Sequence, residues 1–215
     1  MNAQNSSWFH AGATALALSG LLFAIFPLVR PFYTDLALDP AGAAQTIISP
    51  SWVMSHLILI VALVLLPFGL LTLFVELQSS RGRSLALIGM VLGIAGSGLF
   101  LPVAGVEAFA LPAIARQYVQ GQVVTLDTIG AARSVLQATV LVPALVFLGL
   151  GGVCIAMAVG RSGQLSRWAG IPFALGLVFF LPLFPQPIRV ADGVLTGIGG
   201  LGLAWALRAP RGGGG

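Results

Sequence analysis

The sequence predicts an all-α integral membrane protein, a bundle of six transmembrane helices with two longer outward-facing connections. Three observations support this fold class. Hydrophobic residues make up 58% of the 215-residue chain and charged residues only 7%, whereas about 25% of residues are charged in a typical soluble domain. The mean hydropathy is +1.02. Finally, the charged residues divide the chain into six long charge-free runs, and a spanning helix needs about 20 apolar residues.

The six expected spans follow these runs in chain order. The first run has no basic segment before its apolar stretch, which is longer than the core of a secretory signal, so we expect a permanent helix. The second and third spans are separated only by a short connection containing Arg81 and Arg83, and the fourth and fifth by a short connection containing Arg161 and Arg167. Each of these pairs should pack as antiparallel neighbours. The spans are expected at about residues 9–29, 52–76, 84–109, 137–159, 168–186 and 191–207.

The sixth span is the weakest by length. Its charge-free run, residues 193–207, gives only about 22 Å of helix at about 1.5 Å per residue. To cross the membrane, this span must therefore include residues 190–192 and Arg208, whose side chain would reach to the interface; otherwise it enters and leaves the membrane on one side. The whole chain, residues 1–215, is expected to form one transmembrane domain with a flexible glycine tail at 212–215.

The distribution of arginine predicts the orientation. The chain has no Lys, and its ten basic residues are all Arg. Six lie on the side of the short connections and the C-terminal tail, and four lie on the side of the longer connections near residues 30–51 and 116–135. Because cytoplasmic segments carry the excess of basic residues, we expect a bacterial inner-membrane protein with both termini in the cytoplasm. The six are Arg81, Arg83, Arg161, Arg167, Arg208 and Arg211, and the four are Arg30, Arg116, Arg133 and Arg189.

The composition excludes several classes of function. Without Lys, the chain cannot form a Schiff base with retinal or pyridoxal phosphate. The single Cys154 can form neither an intrachain disulfide nor a dithiol pair, and no Cys/His run predicts a metal site. The arginines are too scattered for a nucleic-acid surface. No cofactor or metal is therefore expected, and the expected partner is the lipid bilayer, with other membrane subunits or a second copy left open.

Two Gly-x-x-x-Gly patterns predict faces for helix packing. Gly89 and Gly93 lie in the third span, and Gly193 and Gly197 lie in the sixth. Lipid supplies no hydrophobic force between helices, so small residues that allow close backbone contact favour association. Packing within one chain is the preferred interpretation, and a homodimer face is the alternative.

His56 and Glu107 are the candidate functional pair. His56 lies about 30 Å from Glu76 along the second span, and Glu107 lies about 36 Å from Arg83 along the third, so both reach the outward boundary. An imidazole beside a carboxylate can exchange protons near neutral pH, which predicts an outward-facing polar vestibule; the alternative is that both groups are simply solvated. Further candidate vestibule residues are Arg30, Tyr33, Trp52, Tyr118, Asp127 and Arg133.

Three functions remain open at this stage. The first is an accessory or assembly subunit, or a lipid- or pigment-binding membrane protein. The alternative is a small-solute or proton-linked permease or channel that uses the His56/Glu107 vestibule, although charges are scarce inside the expected spans and ion pathways usually need them. The third is a membrane enzyme that uses the same pair for acid–base chemistry on a lipid-like substrate. No catalytic residue is assigned, and an enzyme is the least favoured.

Overall fold

The structure, a computed structural model, describes residues 7–32, 38–121, 131, 134–163, 165, 167–181 and 184–209. Over these residues the chain is helical and contains no strand. Five helices are long and apolar enough to cross a membrane. The predicted helical bundle, compatible with a membrane protein, is confirmed, but the count of six spanning helices is not. The helices are α1 (Ser7–Val29), α2 (Pro40–Ile47), α3 (Pro50–Leu77), α4 (Arg83–Gly105), α5 (Leu111–Val119), α6 (Val142–Ser162), α7 (Arg167–Phe179) and α8 (Gln186–Arg208).

Two π-helical segments extend the long helices, and proline explains both. α4 continues through Val106–Ala110 into α5, and Gln137–Leu141 leads into α6. In an α-helix, a proline ring clashes with the carbonyl of the residue four positions earlier. For Pro112 and Pro143 these residues are 108 and 139, and each lies inside a π segment. The wider π turn accommodates the ring without ending the helix. The third span is consequently a continuous helix over residues 83–119, longer than expected.

The six longer helices form a closed ring. α1 packs against α3, α3 against α4, α4 against α6, α6 against α7, and α7 against α8, while α8 packs back against α1. Neighbours in the ring are antiparallel; along α1 and α3, for example, Gly12 lies against Thr72 and Leu16 lies against Gly69. Side chains from several helices fill the centre of the ring, among them the fully buried Leu63, Leu66 and Leu73 of α3 and Leu148 of α6.

The glycines of the third span lie where α4 meets its neighbours. A Cβ added to Gly89 would lie 2.9 Å from the carbonyl oxygen of Gly151 on α6, and one added to Gly93 would contact Leu70 on α3. A Cβ on Gly151 would in turn lie 2.9 Å from the backbone nitrogen of Gly93. The backbones of α4 and α6 therefore approach closely at these glycines.

The glycines of α8 lie in the same way against α1. A Cβ on Gly193 would lie 2.8 Å from the carbonyl oxygen of Phe23, and one on Gly197 would lie 3.0 Å from the Cβ of Ala24. Both contacts are within one chain. Small residues thus line the contact that closes the ring.

The two ends of the ring differ. At one end, α2 and α5 pack together over the start of α3 and bury a small cluster that includes Ala44, Ile47, Trp52, Leu111 and Ala115. We call this the cap end. The opposite end carries the first residues of α1 and the last residues of α8, and we call it the terminal end.

The fifth expected span is shorter than predicted, and the sixth is longer. α7 covers 13 residues and ends at Phe179, whereas a helix over 168–186 was expected. α8 begins at Gln186 and covers 23 residues. Prolines explain the boundary: Pro185 is the residue that caps α8, Pro187 lies in its first turn, and the residue before a proline disfavours helical geometry. Counting charge-free runs missed the start of α8 because Arg189 and Asp192 lie inside it.

Candidate functional site

Trp52 is the centre of a polar cluster at the cap end. Ser49 caps α3 by accepting a hydrogen bond from the backbone N–H of Trp52, and Pro50 begins the helix. This start directs the indole into the bundle, where it is fully buried. Its Nε1–H donates to the backbone carbonyl of Glu107 at 2.8 Å. In the π pattern that carbonyl would be paired with the N–H of residue 112, but Pro112 has none, and the indole supplies the missing donor.

His56 lies one turn further along α3. Its imidazole is 3% exposed, and its Nδ1 lies 2.8 Å from the carbonyl oxygen of Trp52. Because a carbonyl can only accept, Nδ1 carries the hydrogen and donates. The imidazole ring also packs 4.8 Å from the Trp52 ring and 5.8 Å from that of Phe26, measured between centroids. Trp52 thus contacts the imidazole ring of His56 and the backbone carbonyl of Glu107, and the functional pairing of these two residues stays a prediction.

Arg30 extends the cluster onto α1. Its guanidinium carbon lies 5.1 Å from the centroid of the Trp52 ring and 5.9 Å from that of Phe26, distances at which a cation is attracted to an aromatic face. Tyr118 packs against the buried cluster beneath α2 and α5, which also contains Trp52. The other expected vestibule residues, Tyr33, Asp127 and Arg133, lie outside the described residues.

Arg189 and Asp192 are a second polar group; the sequence interpretation placed Arg189 in an outer connection and Asp192 at the outer start of the sixth span. The structure corrects this assignment: both residues lie in the first turns of α8, and they are 8% and 2% exposed. Thr196 follows on the same face, fully buried, with its hydroxyl donating to the carbonyl of Asp192 at 3.0 Å. The spacing 189, 192, 196 places three polar residues along one helix face. The sequence contains this signal, but the sequence interpretation used charged residues only to mark the ends of the spans.

The carboxylate of Asp192 is buried and has no hydrogen-bond partner among the described residues. The backbone N–H of Gly193 and the charge of Arg189 lie close enough to act on it. Even so, among the residues that the structure describes, neither carboxylate oxygen has a donor in hydrogen-bonding geometry. Buried polar groups are nearly always paired, so an unpaired one in a native fold requires an explanation.

Asp192 and Arg189 line a small pocket between α1, α8 and the chain that follows α7. Phe26 and Pro27 form one wall, and Phe180 and Leu181 form another. The space inside is about that of one water molecule. Phe26 also contacts His56, so its ring separates the Trp52 cluster from the pocket.

The lengths of α7 and α8 give the distance of the pocket from the terminal end. Three exposed tryptophans, Trp8, Trp168 and Trp205, mark the terminal end, as expected for a membrane interface. From Trp168 to the end of α7 is about 17 Å, and from Trp205 to Asp192 is about 20 Å, along helices that rise about 1.5 Å per residue. The hydrocarbon core of a bilayer is about 30 Å thick. Measured from an interface at these tryptophans, both the end of α7 and the Asp192 carboxylate fall within that thickness.

Comparisons with protein-family models, with characterised proteins and with solved structures found no match. The interpretation of this site therefore rests on its own geometry.

Proposed function

We propose that this protein is a small permease of the bacterial inner membrane, with its binding site in the pocket beside Asp192. The observation that carries the proposal is the interruption between α7 and α8 at membrane depth. Non-helical backbone is tolerated there only where protein buries it or where it lines a water-containing cavity. Here Phe180 and Leu181, directly after α7, line a pocket that holds two ionisable side chains.

The short hydrogen bonds of the interruption support this interpretation. The N–H of Leu181 donates to the carbonyl of Phe179 at 2.7 Å, and the N–H of Phe184 donates to the carbonyl of Leu181 at 3.1 Å. These turns keep part of the backbone satisfied without continuing the helix. Broken helices of this kind form substrate and ion sites in transporters, where two elements can shift against each other around the site.

The proposal changes the ranking that the sequence alone suggested. An accessory subunit was placed ahead of a permease there because the expected spans contain few polar residues. With Arg189 and Asp192 inside α8, that argument no longer holds, since buried ionisable residues in a membrane usually mark a pathway. The enzyme hypothesis is weakened because a lipid-like substrate would have to reach an imidazole that is 3% exposed.

Water access to the pocket tests the proposal. In a chain whose native cysteine is replaced (Cys154→Ala), Leu181→Cys places a thiol in the pocket wall, and Leu177→Cys places one in the buried core of α7. We expect a membrane-impermeant maleimide to label Leu181→Cys from the outside, and more slowly from the inside, because a permease exposes its site to each face in turn. Leu177→Cys is the matched control and should remain unlabelled.

Equal protection of both thiols from both faces would contradict the permease proposal. The accessory-subunit hypothesis stays a prediction with its own test, since a stable membrane partner should then co-purify with the protein after gentle extraction.

A further inference from the structure

We infer that the ligand of the pocket is a proton, and that Asp192 binds it. The role of this proton in transport rests on the proposed function, whereas its binding to Asp192 rests on the pocket alone. Both carboxylate oxygens are buried, and neither has a hydrogen-bond donor in the part of the chain that the structure describes. Burying an ionised carboxylate costs far more free energy than burying a neutral carboxyl group, and taking up a proton removes the charge.

Arg189 makes proton binding by Asp192 reversible. It lies three residues before Asp192, one turn along α8, and its positive charge attracts the carboxylate. Loss of the proton therefore leaves two opposite charges one turn apart instead of an isolated anion, which lowers the cost of the ionised state. A proton carrier needs both states to be accessible, and the pair provides them.

The charged and titratable groups around the pocket come from three elements. Arg189 faces Asp192 from the same helix. Arg30 of α1 and His56 of α3 both contact the ring of Phe26, which lies between them and the pocket. The residue of α7 that lies against α8 at Asp192 is Gly176, which has no titratable side chain. A pH-dependent signal from this site can therefore come from titration of Asp192 or of His56, and the experiment must distinguish the two.

The size and ligand set of the pocket favour a proton over other cargo. The space is that of about one water molecule, enough for the water that delivers or removes a proton but too small for an organic solute. Metal cations are held by several oxygen or nitrogen ligands at once, and no group of three His, Cys, Asp or Glu side chains comes together within the described ranges.

Infrared difference spectroscopy tests proton binding directly. The full chain in lipid vesicles is taken between acidic and alkaline buffer, and the carbonyl stretch of protonated carboxyl groups is followed. We expect a pH-dependent band that is lost in Asp192→Asn and retained in Asp39→Asn. Asp39 is the matched control because it is exposed and caps α2 by accepting from Gly42, which an asparagine also does. A band unchanged in Asp192→Asn overturns the inference.

A second measurement avoids variants that fail to fold. Carbon-13 labelling of the aspartate carboxyl groups should shift the band in the wild-type protein. An unshifted band assigns the proton to a glutamate and overturns the inference.

Proton flux separates this inference from the proposed function. Vesicles that contain the protein and a pH-sensitive dye are given a potassium diffusion potential. We expect rapid proton entry into vesicles with the wild-type protein or Asp39→Asn. With Asp192→Asn, we expect proton entry no faster than into protein-free vesicles. If the Asp192-dependent infrared band is present but no proton flux is measured, Asp192 remains the proton-binding residue and proton transport is contradicted. Flux that requires sodium, with no Asp192 band, overturns the inference while leaving a permease.

Discussion

The glycines of α4 allow a graded test of how the ring is packed. A Cβ on Gly96 would lie 2.8 Å from the backbone nitrogen of Leu148 and 2.9 Å from the carbonyl oxygen of Ala144, both on α6. Two residues further along the same helix, a Cβ on Gly98 would meet no atom within 4 Å. Gly93 is intermediate, because its Cβ would meet only the end of the flexible Leu70 side chain. Alanine at these three positions should therefore have different effects.

The magnitudes follow from two opposing terms. Alanine stabilises a helix by about 1 kcal/mol relative to glycine, and that gain applies to each variant. Overpacking against backbone costs about 1–3 kcal/mol and applies in full only to Gly96→Ala. We expect Gly98→Ala to raise the free energy of unfolding slightly and Gly96→Ala to lower it by up to about 2 kcal/mol, so that the two variants differ by about 1–3 kcal/mol.

Reversible unfolding in mixed micelles, followed by circular dichroism as the denaturing detergent is increased, gives the free energy of unfolding for each variant. Gly98→Ala is the matched control for the change of residue type, since it has the same chemistry on the same helix. The reasoning is refuted if Gly98→Ala destabilises the protein as much as Gly96→Ala does. Equal stability of all the variants would show that this face of α4 contacts lipid instead of α6.

Three further predictions concern other parts of the chain. Trp52→Phe removes the donor to the Glu107 carbonyl and should lower the free energy of unfolding by about 1–3 kcal/mol; an unchanged value would mean that the carbonyl has another donor. Gly193→Ala should destabilise the protein by up to about 2 kcal/mol net, because its Cβ would meet the carbonyl of Phe23, and unchanged unfolding would contradict close α1–α8 contact. A reporter that is active only in the cytoplasm should be active when fused after Arg208, and activity of a periplasmic reporter there would invert the topology.

Part of the candidate site could be predicted from the sequence. Helix arithmetic brought His56 and Glu107 to one end of adjacent helices, and the structure shows Trp52 in contact with both. What the arithmetic could not show is that the backbone carbonyl of Glu107 makes the contact. That bond arises because Pro112 lacks an N–H, and it needs the indole of a different helix to lie in position.

The sequence by itself predicted the helical class of the protein and apolar helices long enough to span a membrane. Transfer of each side chain into lipid depends mainly on that side chain, and a backbone in lipid must satisfy its own hydrogen bonds, so composition and run length are sufficient for this conclusion. Only the tertiary structure decided where α7 ends, which helices close the ring, and that Arg189 and Asp192 are buried instead of exposed. These depend on neighbours distant in sequence, because a charged residue becomes tolerable inside a membrane only when another part of the chain encloses it.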